Sequence, residues 1–296
     1  MTVAIREVGC SGRLDLRFAE RNGRTVIRDS YCEVPFKITR LLDCRNSSFA
    51  HLILMQCTAG IFGGDRLECT IHVESGARVR ISQQAAMKVH PSQGRLALLS
   101  TSIRVEPDAE LIFECEPVIP FAESRLSQKT RIDVAPGARL VYWEALMAGR
   151  IGRNELWKFD ELSSETRLET EGRPLFLDRF QLVPGRGAPC SQWEAGNATY
   201  VGTGIYFGPD APGIAERLHQ ALPDSGSDSL TSNLAVARVV SASGPDFHRS
   251  RATFLSTVGA GDERSECKPD KAQPSMEDRA QCLNQEHPLS QERARS

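Results

Sequence analysis

A seven-residue unit recurs three times and restricts the architecture of this chain more than any other feature. Val73-Glu74-Ser75-Gly76-Ala77-Arg78-Val79 is followed by Val105-Glu106-Pro107-Asp108-Ala109-Glu110-Leu111 and by Val134-Ala135-Pro136-Gly137-Ala138-Arg139-Leu140. Each copy reads as strand, tight turn, strand, with Gly, Pro and Asp supplying the turn chemistry. The copies start 32 and 29 residues apart (105 − 73 and 134 − 105), a spacing that suits stacked supersecondary units. Stacking would let each copy bury a face it cannot bury alone. Similar turns also join unstacked strands in ordinary β proteins, and both readings give an all-β body.

Strand signals run from Arg13 to about Arg179. Arg78-Val79-Arg80-Ile81 and Arg131-Ile132-Asp133-Val134 alternate polar with apolar residues, as expected when one strand face is buried. Helical signals come late. Asp210 is placed to cap a segment whose Ile214, Leu218, Ala221 and Leu222 share a face, and Pro223 stops it. A second helix is predicted over 245–258, with Phe247, Ala252, Phe254, Leu255 and Val258 as its apolar stripe. Residues 259–296 contain no Phe, Trp, Tyr, Val or Ile. A segment of that composition buries too little apolar surface to offset its ordering entropy, so disorder is expected there. The predicted organisation is a β-rich domain over 1–258 followed by a polar tail over 259–296.

Composition excludes several classes of function. With 36 Lys+Arg against 38 Asp+Glu, the formal charge is −2, and the basic residues do not gather into a stripe able to follow a phosphate backbone. Nucleic acid is not an expected partner, and no apolar run is long enough to span a membrane. Nine widely spaced Cys suggest reduced thiols and a cytoplasmic location.

Catalytic motifs are missing. The sequence has no Cys-x-x-Cys, His-Glu-x-x-His, Gly-x-Ser-x-Gly or phosphate-binding Gly-x-x-x-x-Gly-Lys-Ser/Thr. Gly202-Thr203-Gly204-Ile205-Tyr206-Phe207-Gly208 misses the dinucleotide pattern by one place. His51, His72 and His90 could converge from neighbouring strands on a metal, or could each be an ordinary hydrogen-bonded histidine. Ala59-Gly60-Ile61-Phe62-Gly63-Gly64-Asp65 is unusual in placing three glycines around two large apolar residues. Taken alone it reads as a glycine-rich hairpin with an Asp-capped turn.

Several motifs in order supply a resemblance. Ser30-Tyr31-Cys32-Glu33-Val34-Pro35-Phe36-Lys37 resembles an early Ser-x-x-x-Pro-Leu/Phe-Lys segment of the UreD/UreH urease accessory proteins. Gly60-Ile61-Phe62-Gly63-Gly64-Asp65 is similar to their Gly-Gly-x-x-Gly-Gly-Asp signature, and Gln83-Gln84-Ala85-Ala86-Met87-Lys88-Val89 to their Thr-x-x-Ala-x-Lys-x-Tyr segment. Glu116-Pro117-Val118-Ile119-Pro120-Phe121, Trp143-Glu144 with Gly149-Arg150, and Glu171-Gly172-Arg173-Pro174-Leu175-Phe176-Leu177-Asp178-Arg179 follow in family order. Departures are Thr58-Ala59-Gly60 in place of Pro-Gly-Gly, His90 in place of an aromatic residue, and a polar tail in place of the family's helix end and Trp-containing terminus.

The resemblance implies an all-β-dominated, β-helix-like body of stacked strands with about two helices in its C-terminal part. It also implies a non-enzymatic urease maturation factor that bridges apo-urease with UreF and UreG, in a 2:2 assembly with UreF. No tightly bound cofactor is implied, only Ni²⁺ in transit along an internal passage. Such a route needs oxygen ligands and water, because a tight Cys/His cage would not release the ion. Asp65, Glu144 and Asp178, three of the carboxylates on the matching motifs, are candidates to line it, with Lys88 as their charge partner. Each could equally be a turn cap or a surface ion pair. Gly60, Gly63, Gly64, Gly149 and Arg150 are expected to be structural. The competing readings are a β-helical acyltransferase, a cupin-like metal-dependent enzyme, or a β-scaffold for some other partner. The hexapeptide periodicity of the first and the clustered His/Glu hairpin of the second are absent from the sequence.

Overall fold

The computed structural model describes residues 9–44, 49–184, 197–222, 225–261 and 267–269. Strands β1 (Ser11–Arg21) and β2 (Arg24–Cys32) form a hairpin, followed by β3 (Phe36–Ile38), β4 (Leu42–Cys44) and β5 (Ala50–Gln56). Three coils come next: β6 (Arg66–Val73), β7 (Arg78–Gln84) and β8 (Met87–Val89); β9 (Ala97–Val105), β10 (Glu110–Glu114) and β11 (Val118–Pro120); β12 (Arg125–Val134) and β13 (Arg139–Met147). The chain closes with β14 (Glu161–Thr170), β15 (Arg173–Leu182), β16 (Tyr200–Phe207), helix α1 (Ala211–Ala221), β17 (Ser225–Thr231), β18 (Leu234–Ser241), helix α2 (Gly244–Thr257) and β19 (Cys267–Pro269).

The recurring unit is a true structural repeat. Val73 pairs with Val105 and Val105 with Val134 in one sheet, while Arg78 pairs with Glu110 and Glu110 with Arg139 in the other. All of these pairings are parallel. Each turn therefore carries the chain from the first sheet, ordered β15-β14-β12-β9-β6-β1-β2, to the second, whose main path is β17-β18-β16-β13-β10-β7-β5-β4-β19. The turns stack on one another through the backbone. Glu106 N–H donates to Val73 O at 3.0 Å, Ala135 N–H to Val105 O at 2.9 Å and Arg139 N–H to Ala109 O at 2.9 Å. The third turn residue has a left-handed backbone in every copy, Gly76, Asp108 and Gly137, as this turn chemistry requires. The alanine after it, Ala77, Ala109 or Ala138, is buried in the stack, where little more than a methyl fits. The architecture is thus a two-sheet β-solenoid of mostly strand, with both helices in the C-terminal part.

Both helices cover the outer face of the second sheet. On α1, Ala211, Ile214, Ala215 and Leu218 are buried. The expected Asp210 cap is corrected: its side chain makes no capping bond and meets Arg217 at 3.3 Å instead. Ala221, expected on the apolar face, is exposed. On α2, Ser243 is the cap, accepting from Asp246 N–H at 3.3 Å, and Phe247, Phe254 and Leu255 are buried while Ala252 is exposed.

The glycines of β16 serve this packing. A Cβ at Gly204 would lie 2.4 Å from the Phe254 ring, and one at Gly202 2.7 Å from Trp143. The near-dinucleotide stretch is therefore a notched strand that admits aromatic side chains, not a phosphate turn.

Covering the second sheet on both sides also removes the solvated face that alternation assigns to Arg80. Its side chain is buried and ion-paired with buried Glu114 on the neighbouring strand, and its Nη1 donates to Gly261 O at 2.7 Å. Pairing of this kind is what makes a buried guanidinium tolerable. Of the segment predicted to be a tail, Ala260 is buried and 267–269 pairs with β4; 262–266 and 270–296 lie outside the described residues.

Candidate functional site: a polar seam between the sheets

Between the sheets the side chains sort into rows. Near the turns, Ile71, Ile103, Ile132 and Leu168 belong to one apolar cluster with Phe113 and Ile81. At the far ends of the strands, Leu67, Leu126, Leu162, Val118 and Leu146 belong to another. A polar row separates them on each sheet. On the first sheet, Cys69, Thr101, Thr130, Thr166 and Asp178 are successive register partners. On the second, Glu144, Thr203 and Arg238 are register partners, and Gln83 and Cys115 extend the line along β7 and just past β10.

The two rows face each other. Thr166 Oγ1 lies 2.9 Å and 3.0 Å from the two Glu144 oxygens, Tyr142 donates its hydroxyl to Glu144 at 3.0 Å, and Arg238 pairs with Asp178 from sheet to sheet. Glu144 stands at the junction of two cavities. One is lined by Gln83, Thr101, Cys115, Glu116 and Thr130, the other by Ser164, Phe180, Thr203 and Arg238, and both also touch Gln128 and Glu144. Their volumes of about 50 and 20 Å³ exceed the roughly 10–15 Å³ needed to hold a water centre.

Burial pushes the Glu144 carboxyl above the ordinary carboxylate range, although the Thr166 and Tyr142 hydroxyls favour its charged form; the nearby Asp178 charge adds to the rise. Burial likewise pushes the Cys69 thiol up to about 12 and the Cys115 thiol well above its usual value. Both are neutral thiols and poor nucleophiles. The seam thus offers carboxylate, hydroxyl and amide oxygens without an activated nucleophile.

The carboxylates singled out in the sequence do not all meet. Glu144 and Asp178 share the seam, whereas Asp65 lines neither cavity. Its two oxygens accept the backbone N–H of Cys10 and of Phe62, each at 2.8 Å, tying β1 to the glycine-rich loop. Lys88 is exposed on β8 and pairs with none of the three. In the same loop, Gly60 lets Lys88 O approach to 2.3 Å of where a Cβ would stand. Gly63 and Gly64 turn the chain toward Asp65. Gly149 precedes Arg150, whose guanidinium holds Glu155 at 2.6 and 2.5 Å and lies 4.1 Å over the Phe121 ring.

The three histidines are separate. His51 bonds Ser82, His72 bonds Glu106, and His90 bonds Ala59 O and stacks on Phe62. Among the described residues, no three His, Cys, Asp or Glu side chains form a metal-binding group. Asp65→Leu removes the side-chain acceptors of two backbone N–H groups, and the expected loss is about 0.5–2 kcal/mol, the scale of a lost cap. Comparing urea midpoints checks it, and an unchanged midpoint would refute the tether.

The sequence motifs single out Glu144 and Asp178 but not the hydroxyl and amide residues that share the seam with them. A signal was available. Cys69, Thr101 and Thr130 each stand four places before the first valine of a repeat (73 − 69, 105 − 101, 134 − 130), and Gln83, Cys115 and Glu144 stand four places after its last residue (83 − 79, 115 − 111, 144 − 140).

Fold and site together define a two-sheet β-solenoid that encloses a polar seam between apolar cores. Comparison with known proteins narrows the class. A family model described as UreD urease accessory protein matches residues 10–270. The chain is 31% identical over 264 residues to the urease accessory protein UreD of Anaeromyxobacter sp., covering 85% of this chain and 87% of that one. It is 30% identical to UreD of Haloarcula marismortui (79% and 81% covered) and 30% identical to UreH of Helicobacter hepaticus (56% and 66% covered). The chain belongs to the UreD family of urease accessory proteins. Its relatives are named as urease accessory proteins.

Proposed function

We propose that this chain is a scaffold for urease maturation and that Ni²⁺, its cargo, passes along the polar seam. The observation that carries the reading is the pair of facing polar rows with Glu144 at their junction. A hard or borderline cation moves through weak oxygen sites more readily than through thiolate or imidazole cages. In this reading Glu144 and Asp178 offer transient carboxylate oxygens, while Thr130, Thr166, Thr203 and Gln128 offer neutral ones. Asp65 acts before transit, by holding the glycine-rich loop against β1.

Family membership supports apo-urease, UreF and UreG as partners, with two copies of this chain and two of UreF in the working assembly. In this reading the chain works in the cytoplasm, a reducing compartment that suits the free thiols of Cys10, Cys32, Cys57, Cys69 and Cys115. No helix among the described residues is long and apolar enough to cross a membrane. Co-purification of the full chain with UreF, UreG and apo-urease, followed by urease activation with added Ni²⁺, tests the reading. A stable complex that activates urease is expected. Absence of association with UreF by sizing, or activation equal to that without this chain, would overturn it.

A further inference from the structure

The end of the seam at β15 and β18 is closed by an ion pair. Asp178 comes from the edge strand of the first sheet and Arg238 from the strand next to the edge of the second. Their contact is therefore the point where the seam's two walls join through charge. The Arg238 side chain is 40% exposed and that of Asp178 17%. The guanidinium head can thus move toward solvent without disturbing the core, whereas the carboxylate stays inside. Arg238 also lines the cavity that Glu144 lines, and its charge and that of Asp178 act on Glu144 with opposite signs.

A guanidinium stays protonated at any working pH. At this position it occupies a carboxylate that a divalent cation would use, and it repels that cation from the next one.

We propose that Asp178 and Arg238 form a charge gate on the seam. Paired, Arg238 withholds Asp178 and keeps a divalent cation away from Glu144. When the guanidinium, the more exposed partner, swings out toward solvent, Asp178 and Glu144 become available to the ion together. The gate rests on the reading that Ni²⁺ travels along the seam, and the two can fail separately.

The test is calorimetric titration of Ni²⁺ into the full-length chain as wild type, Glu144→Gln, Arg238→Met, and the Arg238→Met/Glu144→Gln double variant. Arg238→Met is expected to bind Ni²⁺ about ten-fold tighter than wild type, the scale on which groups beside a metal site tune its affinity, and the double variant should lose that gain. Asp178→Asn, which leaves the guanidinium without its partner beside Glu144, should bind no tighter than wild type.

Equal, Glu144-dependent affinity in wild type and Arg238→Met overturns the gate and leaves the passage standing. No Glu144-dependent binding in any of them overturns both. If Arg238→Met does not fold, Arg238→Gln carries the same expectation, and wild-type affinity there overturns the gate. Tighter binding by Asp178→Asn does so as well.

Discussion

Glu144→Gln is expected to lower urease activation by about ten-fold or more at limiting Ni²⁺, the scale on which loss of one group at a metal site is felt, with assembly intact. The substitution keeps the shape and leaves an oxygen to accept from Tyr142 and Thr166, but it removes the one ionisable group that, among the described residues, lines both cavities. High Ni²⁺ should restore part of the activity, because a weaker site is refilled by mass action.

Stability should move the other way. The folded state raises the Glu144 carboxyl above its ordinary value of 4.5, so the folded chain binds this proton more tightly than the unfolded chain. The stability this provides is full below 4.5 and is lost as pH rises through the folded value. The melting temperature of Glu144→Gln relative to wild type should therefore increase as pH is raised from acid to neutral. Wild-type activation at limiting Ni²⁺ from a normally assembled variant complex would remove Glu144 from the route. A stability difference that does not change with pH would refute the burial argument.

The second large effect concerns the attachment of α2 to the solenoid. Phe254 is fully buried, its ring centroid 5.3 Å from that of Trp143 and its edge seated over Gly204. Truncation to Ala should cost about 3–5 kcal/mol, a large part of the roughly 5–15 kcal/mol that holds a typical domain folded. Gly204→Ala attacks the same contact from the strand side by overfilling it, at about 1–3 kcal/mol.

The two changes should not add. With the ring gone, the methyl group at position 204 has space, so Gly204→Ala should cost less in the Phe254→Ala background than alone. Urea unfolding of the four proteins measures this. A loss below about 1 kcal/mol for Phe254→Ala, the ordinary scale of a single substitution, would show that α2 is not anchored there. Strict additivity would show that ring and glycine do not share a contact.

These sites differ in how far the sequence discloses them. The repeat at Val73, Val105 and Val134 is legible because one coil spans one period, and equivalent residues then meet as register partners. The apolar stripe of α2 is legible for the same kind of reason, since helical periodicity is a local property. Glu144 and Asp178 stand out through the family motifs they belong to.

The sequence alone, however, does not disclose which of its polar residues share an interior. Thr166 meets Glu144, and Asp178 meets Arg238 60 positions away, because coil length brings their rows face to face. Asp65 belongs to the same set of motif carboxylates, yet one of its oxygens is taken by the Phe62 N–H of its own loop and the other by the Cys10 N–H, 55 positions away, which only the fold brings near. Arg80 alternates correctly for a solvated face and is nevertheless buried, because it pairs with Glu114 and the chain after α2 passes over it, Gly261 O accepting from its guanidinium. Local pattern thus determined the strands, their repeat and the helices. Burial, pairing and the line of the seam depend on contacts between residues tens of positions apart, and only the tertiary structure could decide them.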